Sequence, residues 1–351
     1  PAVRKKGETQ AVGFVASFLD DAFAPGETRI LEDAVGLLGE LLLEPYTQNG
    51  AFCPDYTSQE RANLIDRIQA QINEKRAYSI LRLTQEMCAG EPYGVDKLGD
   101  EAHAAALTPE RLWERYQALL SQAPVELYYC GSAPADRVAE ALTVALAGLP
   151  RAAGLEEPEC GVQAEASCET PRLVTESLDV TQGKLALGFR TGGSCVWTED
   201  FPALMVFNAV YGGTPTSKLF LNVREKLSLC YFASSTLEKC KGILLVSSGI
   251  EFGNYDKAKA EILAQLDNCR QGAIEDWEMV AARQAIISSL SAALDAQGRL
   301  EDFWLGQAAA GLEEEPQALA QRIAAVTKEQ VVAVANKLEL DTIYFLKGKE
   351  G

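Results

Sequence analysis

An arginine and a tyrosine, Arg224 and Tyr231, lie seven positions apart at a predicted junction between a helix and a strand. A guanidinium and a phenol at such a junction could bind a peptide carbonyl or a carboxylate, because both side chains donate hydrogen bonds. Simpler explanations compete with this one. An arginine beside Glu225 is usually a surface charge, and a tyrosine in a strand is usually part of the core, so these residues alone leave both interpretations open.

The single histidine restricts the other chemistry that the chain can carry. Zinc motifs of the H-x-x-E-H or H-E-x-x-H type need two histidines on one helix, so neither motif exists within these 351 residues. A serine or cysteine nucleophile that relies on an imidazole base would have to use His103. We expect His103 to lie at the start of a helix or on the surface.

The charge and the cysteine content exclude further classes of function. The chain carries 32 basic and 50 acidic residues, a formal net charge of −18, which disfavours binding to nucleic acid or to an anionic membrane. Nine scattered cysteines without a C-x-x-C pair are typical of reduced thiols rather than of a disulfide framework. No apolar run reaches the roughly 18 residues that a membrane span requires. We therefore expect a cytoplasmic protein with no nucleic-acid or membrane partner.

The first half alternates strands with helices. Alternating apolar and β-branched residues predict strands over 11–19 and 125–130. Between them, the helical spacing of apolar residues predicts one long helix from about Ser58 to Cys88. Thr108 then begins a further helix as its N-cap, with proline in the first turn.

The second half contains more elements of the same kinds. Extended segments are expected at 178–189, 229–235, 243–250 and 341–346. Helices are expected at 199–211, 216–227, 255–270, 275–310 and 316–338. The stretch 151–170 is rich in Glu, Ala and Gly and lacks periodicity, so we interpret it as an interdomain linker.

The two halves resemble each other in sequence. Residues 107–112 (LTPERL) match 326–331 (VTKEQV), and 125–131 match 342–348. The second half has a strand and two helical segments over 176–226, before its strand hairpin, and nothing corresponds to them in the first half. We therefore expect that the first strand and the first helix of the first half are absent from this sequence, which begins with proline rather than methionine.

The stretch Gly212–Tyr231 carries the most information about the family. It contains a Gly-Gly break, Ser217-Lys218-Leu219-Phe220, Val223-Arg224-Glu225-Lys226 and Leu229-Cys230-Tyr231. This order resembles the second-domain signature of the pitrilysin/insulinase peptidases, the inverzincins. Residues 91–94 (EPYG), the Glu60-Arg61 pair near the start of the long helix and the 107–112 segment agree in order, so the resemblance covers nearly the whole chain.

The resemblance implies an α+β fold of two homologous half-domains, with long helices packed on mostly antiparallel sheets. Members of the family pair such chains into a clamshell around a peptide. Where the active site is split, one subunit holds zinc and the other contributes an arginine and a tyrosine. Arg224 and Tyr231 stand at those positions, so the resemblance implies that they bind the peptide and help polarise its scissile carbonyl opposite the partner's zinc.

One position departs from the pattern of the zinc peptidases. In active relatives the third zinc ligand is a glutamate in the long first-domain helix, seven residues after the glutamate of a Glu-Arg start. Counted from Glu60, that position is Arg67, whose guanidinium would repel the metal. The adjacent Asp66 points about 100° away on a helix and would be a poor ligand if the register were shifted by one residue.

We therefore expect a catalytically silent subunit of a zinc-dependent peptidase, with Arg224 and Tyr231 as its substrate-binding residues. Residues 1–150 would form the first domain, 151–170 the linker and 171–351 the second domain. The chain itself would hold no catalytic residue, metal ligand or cofactor; zinc would belong to a homologous partner subunit, or the partner would be a second copy in a homodimer. Two alternatives stay open: an active zinc peptidase whose H-x-x-E-H precedes residue 1, and a purely structural subunit similar to the core proteins of respiratory complexes.

Overall fold

The computed structural model describes residues 2–26, 28–155, 160–166 and 169–349. The first half contains β1 (Ala2–Lys6), β2 (Thr9–Gly13), α1 (Ile30–Leu43), β3 (Thr47–Gln48), β4 (Ala51–Phe52), α2 (Pro54–Ala70), α3 (Lys75–Met87), α4 (Glu101–Ala105), α5 (Pro109–Gln122) and α6 (Ala135–Ala145). The second half contains β5 (Arg172–Leu178), β6 (Gly183–Arg190), α7 (Phe201–Asn208), β7 (Cys230–Glu238), β8 (Ile243–Ile250), α8 (Tyr255–Arg270), α9 (Asp276–Leu294), α10 (Gln297–Ala309), α11 (Pro316–Ala324), α12 (Lys328–Lys337) and β9 (Glu339–Gly348). The expected α+β class is confirmed.

Short irregular helices complete the list of elements. Turns of 3-10 helix lie at Asp21–Phe23, Gln71–Asn73, Pro92–Gly94 and Phe252–Asn254. Two wide-turn π-helical segments follow α7, at Ala209–Gly213 and Leu219–Lys226. They replace the predicted continuation of the helix, because each carries i to i+5 hydrogen bonds rather than the α-helical pattern.

The chain divides into two compact units. The second unit gathers Lys6–Thr9, Ala70–Asp96 and the chain from Cys160 onward, and the first unit holds the rest. Helix α3 thus packs with the second unit although it precedes the expected linker. The predicted boundaries at 150 and 171 follow the internal sequence repeat, whereas the two compact units follow packing in space. The boundaries stay a prediction.

Part of the expected linker cannot be compared with the structure. Residues 156–159 and 167–168 lie outside the described residues. Of the nine cysteines, Cys168 is also outside, and no disulfide links the cysteines that the structure describes.

A five-stranded sheet forms the centre of the second unit. Its strand order is β5-β9-β6-β8-β7, and its neighbouring strands run antiparallel except for the parallel pair β5–β9. β8 is buried on both faces and β6 nearly so, which accounts for the almost continuous apolar runs in their sequences. The predicted strands at 229–235, 243–250 and 341–346 are therefore confirmed, whereas the single extended stretch 178–189 is in fact the end of β5 and most of β6.

Helices cover both faces of this sheet. Alternate residues point to opposite faces, so Leu185 and Leu187 of β6 join a large core with α7, α8, α9, α11 and α12, while Ala186 faces the other side. On that other side, Leu83 and Met87 of α3 pack against the sheet. The helix approaches closely because Gly188 has no side chain; a Cβ there would overlap the Met87 sulfur.

A buried ion network fixes the loop after α3 to the sheet. The fully buried Arg190 guanidinium, at the end of β6, lies 2.7 Å from Glu91 Oε1 and 3.3 Å from Asp341 Oδ2. Lys241 Nζ lies 2.5 Å from Glu91 Oε2 and 2.6 Å from Glu8 Oε1. Burial works to raise the pKa of Glu91, but the hydrogen bonds from Arg190 and Lys241 hold that pKa below its ordinary value. Glu91 is therefore ionised and shared by two cations.

The first unit has no comparable sheet among its described residues. In the first half of the sequence, the strand pairs β1–β2 and β3–β4 are each two-stranded. The strand predicted at 11–19 is confirmed only over 11–13, because β2 ends at Gly13, and the strand predicted at 125–130 is wrong, because residues 124–130 form no ladder. Val15, Leu19 and Leu127 are more than half exposed. Strand propensity is realised only where a partner strand supplies hydrogen bonds and a packed face, and the described residues offer neither here.

The long helix predicted in each half is interrupted. The helix predicted at 58–88 is divided into α2 and α3 by the 3-10 turn Gln71–Asn73 and the cap residue Glu74. The helix predicted at 275–310 is divided into α9 and α10 at Asp295 and Ala296. Each of these predictions therefore gives two helices in place of one. The helix predicted at 316–338 is likewise divided, into α11 and α12, because Thr327 caps the start of a new helix.

The internal repeat extends to individual hydrogen bonds. In the first unit, the Arg61 guanidinium donates to the Leu107 carbonyl at 3.0 Å. In the second unit, the Arg283 guanidinium donates to the Val326 carbonyl, also at 3.0 Å. Leu107 and Val326 are the residues that begin the two matched segments of the sequence, so the repeat is a repeat of structure as well.

Replacing Arg190 with methionine tests the ion network. We expect Arg190→Met to lower the free energy of unfolding at pH 7 by about 3–5 kcal/mol, because the buried Asp341 and the partly buried Glu91 lose the cation that faces both of them. The folded-state pKa of Glu91 lies below its ordinary 4.5, so the stabilisation is complete above that pH and is lost below it. The difference between variant and wild type should therefore shrink in urea titrations at acid pH.

The matched control is Arg29→Met, which removes an ion pair with Glu32 from a side chain that is 70% exposed. We expect this control to lower the free energy of unfolding by less than about 1 kcal/mol. Equal losses in the two variants would show that the buried network adds nothing beyond an ordinary surface pair.

Candidate functional site

The signature segment, residues 212–231, lies against β7 because of its glycines. A Cβ on Gly212 would stand 2.7 Å from the backbone nitrogen of Ser235 and 2.6 Å from its hydroxyl. A Cβ on Gly213 would stand 3.0 Å from the Asn208 carbonyl oxygen. The Gly-Gly break is therefore required by close approach between two backbones, and it determines how the following helix enters the site.

The next residues anchor the signature segment in the core. Ser217, Leu219 and Val223 are at most 1% exposed. Lys218 Nζ lies 2.9 Å from Glu278 Oε2 in a buried ion pair that joins the segment to α9. These contacts give each of the four residues a structural role.

A left-handed turn joins the π-helical segment to β7. Ser228 has φ +50, and its N–H donates to the Arg224 carbonyl at 3.1 Å. The N–H of Leu229 donates to the Val223 carbonyl at 3.0 Å. Both rings are one residue wider than in the usual left-handed helix cap, as a π-helical end requires. This cap sets the point at which the chain leaves the helix, and with it the positions of Arg224 and Tyr231.

Arg224 projects from the last turn of this helix. Its side chain is 41% exposed, with Nε 3.5 Å from Glu225 Oε1 and the guanidinium 4.7 Å from the centre of the Phe220 ring. An exposed ion pair and an exposed cation–π contact each contribute little to the stability of the fold. The ring orients the guanidinium, which remains accessible to a ligand.

Tyr231 is the extra residue of a β-bulge. Cys230 pairs with Ile250 and Phe232 pairs with Gly249, so Tyr231 has no opposite residue on β8. Its side chain is 57% exposed. Bulges of this kind bend the strand and redirect a side chain, and they are frequent beside binding sites. The expectation that a tyrosine in a strand belongs to the core therefore does not hold here.

The structure places both predicted binding residues at one corner of the second unit. Arg224 ends the helix and Tyr231 begins the strand, with the Ser228 turn between them. Burial raises the pKa of the Cys230 thiol, and the nearby Arg224 charge partly offsets that rise. A cation and a phenol are therefore both exposed, one on each side of the Ser228 turn, and each can donate to a carbonyl or carboxylate oxygen.

Sequence reasoning missed two residues of this corner. Glu251 accepts a hydrogen bond from the Tyr231 hydroxyl at 3.2 Å, and the Phe220 ring stacks under Arg224. The spacing of Phe220 and Arg224, four positions apart on the predicted helix, signals the contact between these two side chains. The sequence does not signal the hydrogen bond, because Glu251 is 20 positions from Tyr231 and reaches it only through the pairing of β7 with β8.

The residues at the expected zinc position do not fit a metal. Asp66 and Arg67 are exposed on α2, where they line an open groove of about 850 Å³ together with Arg61 and Tyr56. Within the described ranges, no group of three His, Cys, Asp or Glu side chains is arranged to hold a metal ion. Cys53 and Glu60 line the same groove, but the Arg61 and Arg67 guanidinium groups beside them cannot ligate zinc.

His103 lies where the sequence predicted, in the short helix α4. Its side chain is 89% exposed, and Nδ1 is 2.5 Å from Asp100 Oδ2. Asp100 also accepts the backbone N–H of His103 as the helix N-cap. His103 therefore belongs to a helix cap on the surface.

In the described part of the chain, no helix has the length and apolarity that crossing a membrane requires.

The fold and the signature segment define a chain of the inverzincin peptidase class. The family model described as the peptidase M16 inactive domain matches residues 106–286, and the chain belongs to the peptidase M16 family. The resemblance to the pitrilysin/insulinase peptidases is thereby confirmed. The match to an inactive-domain model supports a catalytically silent chain.

Several relatives resemble the chain over most of its length. It is 36% identical over 348 residues to "Probable inactive metalloprotease YmfF" of Bacillus subtilis. The matched region is 99% of this chain and 80% of the relative. A conserved protein from Enterococcus faecalis superimposes with a TM-score of 0.83 at 28% identity, covering 95% of this chain and 77% of the other. A protease from Helicobacter pylori has the same fold, with a TM-score of 0.73 at 17% identity, covering 90% and 76% of the two chains.

The close approach at Gly212 can be tested with one methyl group. We expect Gly212→Ala to lower the free energy of unfolding by roughly 1–3 kcal/mol, because the new Cβ would overlap the backbone of Ser235. Gly36 in α1 has open space at its Cβ position, so Gly36→Ala should be neutral or stabilising by up to about 1 kcal/mol. Urea titrations measure both variants, and a Gly212→Ala protein as stable as wild type would show that the glycine is not needed for packing.

Proposed function

We propose that this chain is a catalytically silent subunit that completes the peptide-binding chamber of a zinc-bearing homologue. Its contribution would be Arg224 and Tyr231, which would hold the peptide backbone opposite the zinc of the partner. The zinc would supply the activated water, and no step of the chemistry would use a metal on this chain.

One observation carries the proposal. Within the signature segment, Ser217, Lys218 and Leu219 are buried and serve packing or a buried ion pair. Arg224 and Tyr231 instead face solvent, and each makes only surface contacts. An exposed tyrosine in a bulge does nothing evident for stability, so a role in binding is the better explanation of its position.

The physical role of the pair follows from its hydrogen-bond donors. The Arg224 guanidinium has several N–H groups in a planar fork, and the Tyr231 phenol adds one O–H. Donors fixed beside a peptide carbonyl stabilise the oxyanion that develops when water attacks it. The remaining contacts of the chamber would hold the peptide in register.

The test is peptide hydrolysis by an assembled pair. The chain is purified together with a zinc-bearing M16 homologue from the same cell, and kcat/KM is measured for a quenched fluorescent peptide. We expect Arg224→Ala combined with Tyr231→Phe to lower kcat/KM by about 100-fold or more, since two donors toward the oxyanion are lost. The double variant should still assemble with the partner.

Matched controls separate this role from a general loss of surface charge. Arg322 is 41% exposed like Arg224 and pairs with Glu314, and Tyr46 is 61% exposed like Tyr231. Arg322→Ala combined with Tyr46→Phe should leave kcat/KM unchanged. Activity that persists in the Arg224→Ala, Tyr231→Phe pair would refute the proposed role.

The same preparation distinguishes the rival functions. Zinc near one equivalent in the natural full-length chain purified alone would favour an active peptidase in its own right. A homodimer that cleaves peptides without another subunit would point to self-pairing. A stable partner that is not a peptidase would favour a structural subunit.

A further inference from the structure

The Tyr231 hydroxyl is already engaged by a carboxylate. It donates to Glu251 Oε1 at 3.2 Å, and this interaction lies at the open end of the β7–β8 pair. The hydrogen bond and the negative charge of Glu251 raise the pKa of Tyr231 above its ordinary value. The phenol is therefore protonated at neutral pH and is a hydrogen-bond donor.

Glu251 is held in place by the backbone around it. It follows Ile250, the last residue of β8, which pairs with Cys230. Its carbonyl accepts the N–H of Asn254 at 2.9 Å in the 3-10 turn that starts here. Its side chain makes no capping bond to that turn, and it is exposed. The carboxylate thus reaches Tyr231 from a fixed backbone position.

A phenol has one O–H, so it cannot donate to Glu251 and to a peptide carbonyl at once. If Tyr231 binds peptide, its hydrogen bond must pass from the carboxylate to the peptide. Glu251 is then an exposed anion beside the bound backbone, and no cation among the described residues forms an ion pair with it. A cationic group on the peptide itself would compensate the lost hydrogen bond.

We propose that Glu251 is a specificity-determining residue that selects peptides with a lysine or arginine side chain next to the carbonyl held by Tyr231. This inference rests on the proposed function, because it requires Tyr231 to bind peptide. It names the substrate class as basic peptides, a class that the formal net charge of −18 also attracts over longer distances.

The experiment compares two peptides that differ in one charge. The probes are fluorescent nonapeptides of Ala, Gly and Ser with a single central residue, lysine in one and norleucine in the other. Their affinity for the chain assembled with its zinc-bearing homologue is measured by anisotropy, with a zinc chelator present to prevent cleavage. We expect wild type to prefer the lysine peptide by about two- to fivefold, as an exposed ion pair allows.

Glu251→Gln should abolish this preference, because glutamine keeps the shape but loses the charge. The matched control is Asp256→Asn, which removes one negative charge from a side chain that is 88% exposed five positions away. Asp256→Asn should keep the lysine preference. In addition, NMR titration of ring-labelled tyrosine should show the pKa of Tyr231 falling toward its ordinary value in Glu251→Gln.

The outcomes separate this inference from the function on which it rests. If Tyr231→Phe weakens both peptides while Glu251→Gln still prefers lysine, peptide binding stands and the selectivity of Glu251 is refuted. If Glu251→Gln leaves the pKa of Tyr231 unchanged, the hydrogen bond between them is refuted and the inference with it. If Arg224→Ala and Tyr231→Phe bind both peptides as wild type does, the proposed function itself fails.

Discussion

The packing of α3 on the five-stranded sheet is the constraint on which the second unit depends. The two central strands β6 and β8 are apolar on both sides, so a sheet with one covered face would expose Ala186, Ile243 and Leu245 to water. The helices of the second half cover only the other face. The uncovered side is closed by a helix that comes from the first half of the sequence.

Polar contacts then fix that helix in one orientation. Near its start, the Tyr78 hydroxyl donates to Glu176 on β5 at 2.8 Å, and burial together with this bond raises the pKa of Tyr78 to about 12. Beyond its end, Glu91 is clamped by Arg190 and Lys241. A slide of α3 along the sheet would break both sets of contacts, so the sheet that carries β7 and Tyr231 is a rigid support.

Local sequence predicted the strands of the second half better than those of the first, because a strand needs a partner strand. The apolar runs of 243–250 and 341–346 form strands because neighbouring strands complete their hydrogen bonds. The segment 125–130 has equal strand propensity, but it remains irregular because the described residues supply no partner. Helix breaks at Glu74 and Asp295 were also beyond sequence reasoning, since the residues around them favour helix and tertiary packing decides.

The corner that carries Arg224 was predictable only in part. The order of the signature residues indicated the pair, but exposure distinguishes Arg224 and Tyr231 from the buried members of the segment. That exposure has two structural causes: the turn at Ser228, which is closed by hydrogen bonds to the end of the π-helical segment, and the bulge at Tyr231, which is set by the pairing of β7 with β8. Glu251 reaches the phenol through the same pairing. The register of β7 on β8 therefore both exposes the Tyr231 phenol and brings Glu251 within hydrogen-bond distance of it. A shift of this register would remove the exposure and the hydrogen bond together.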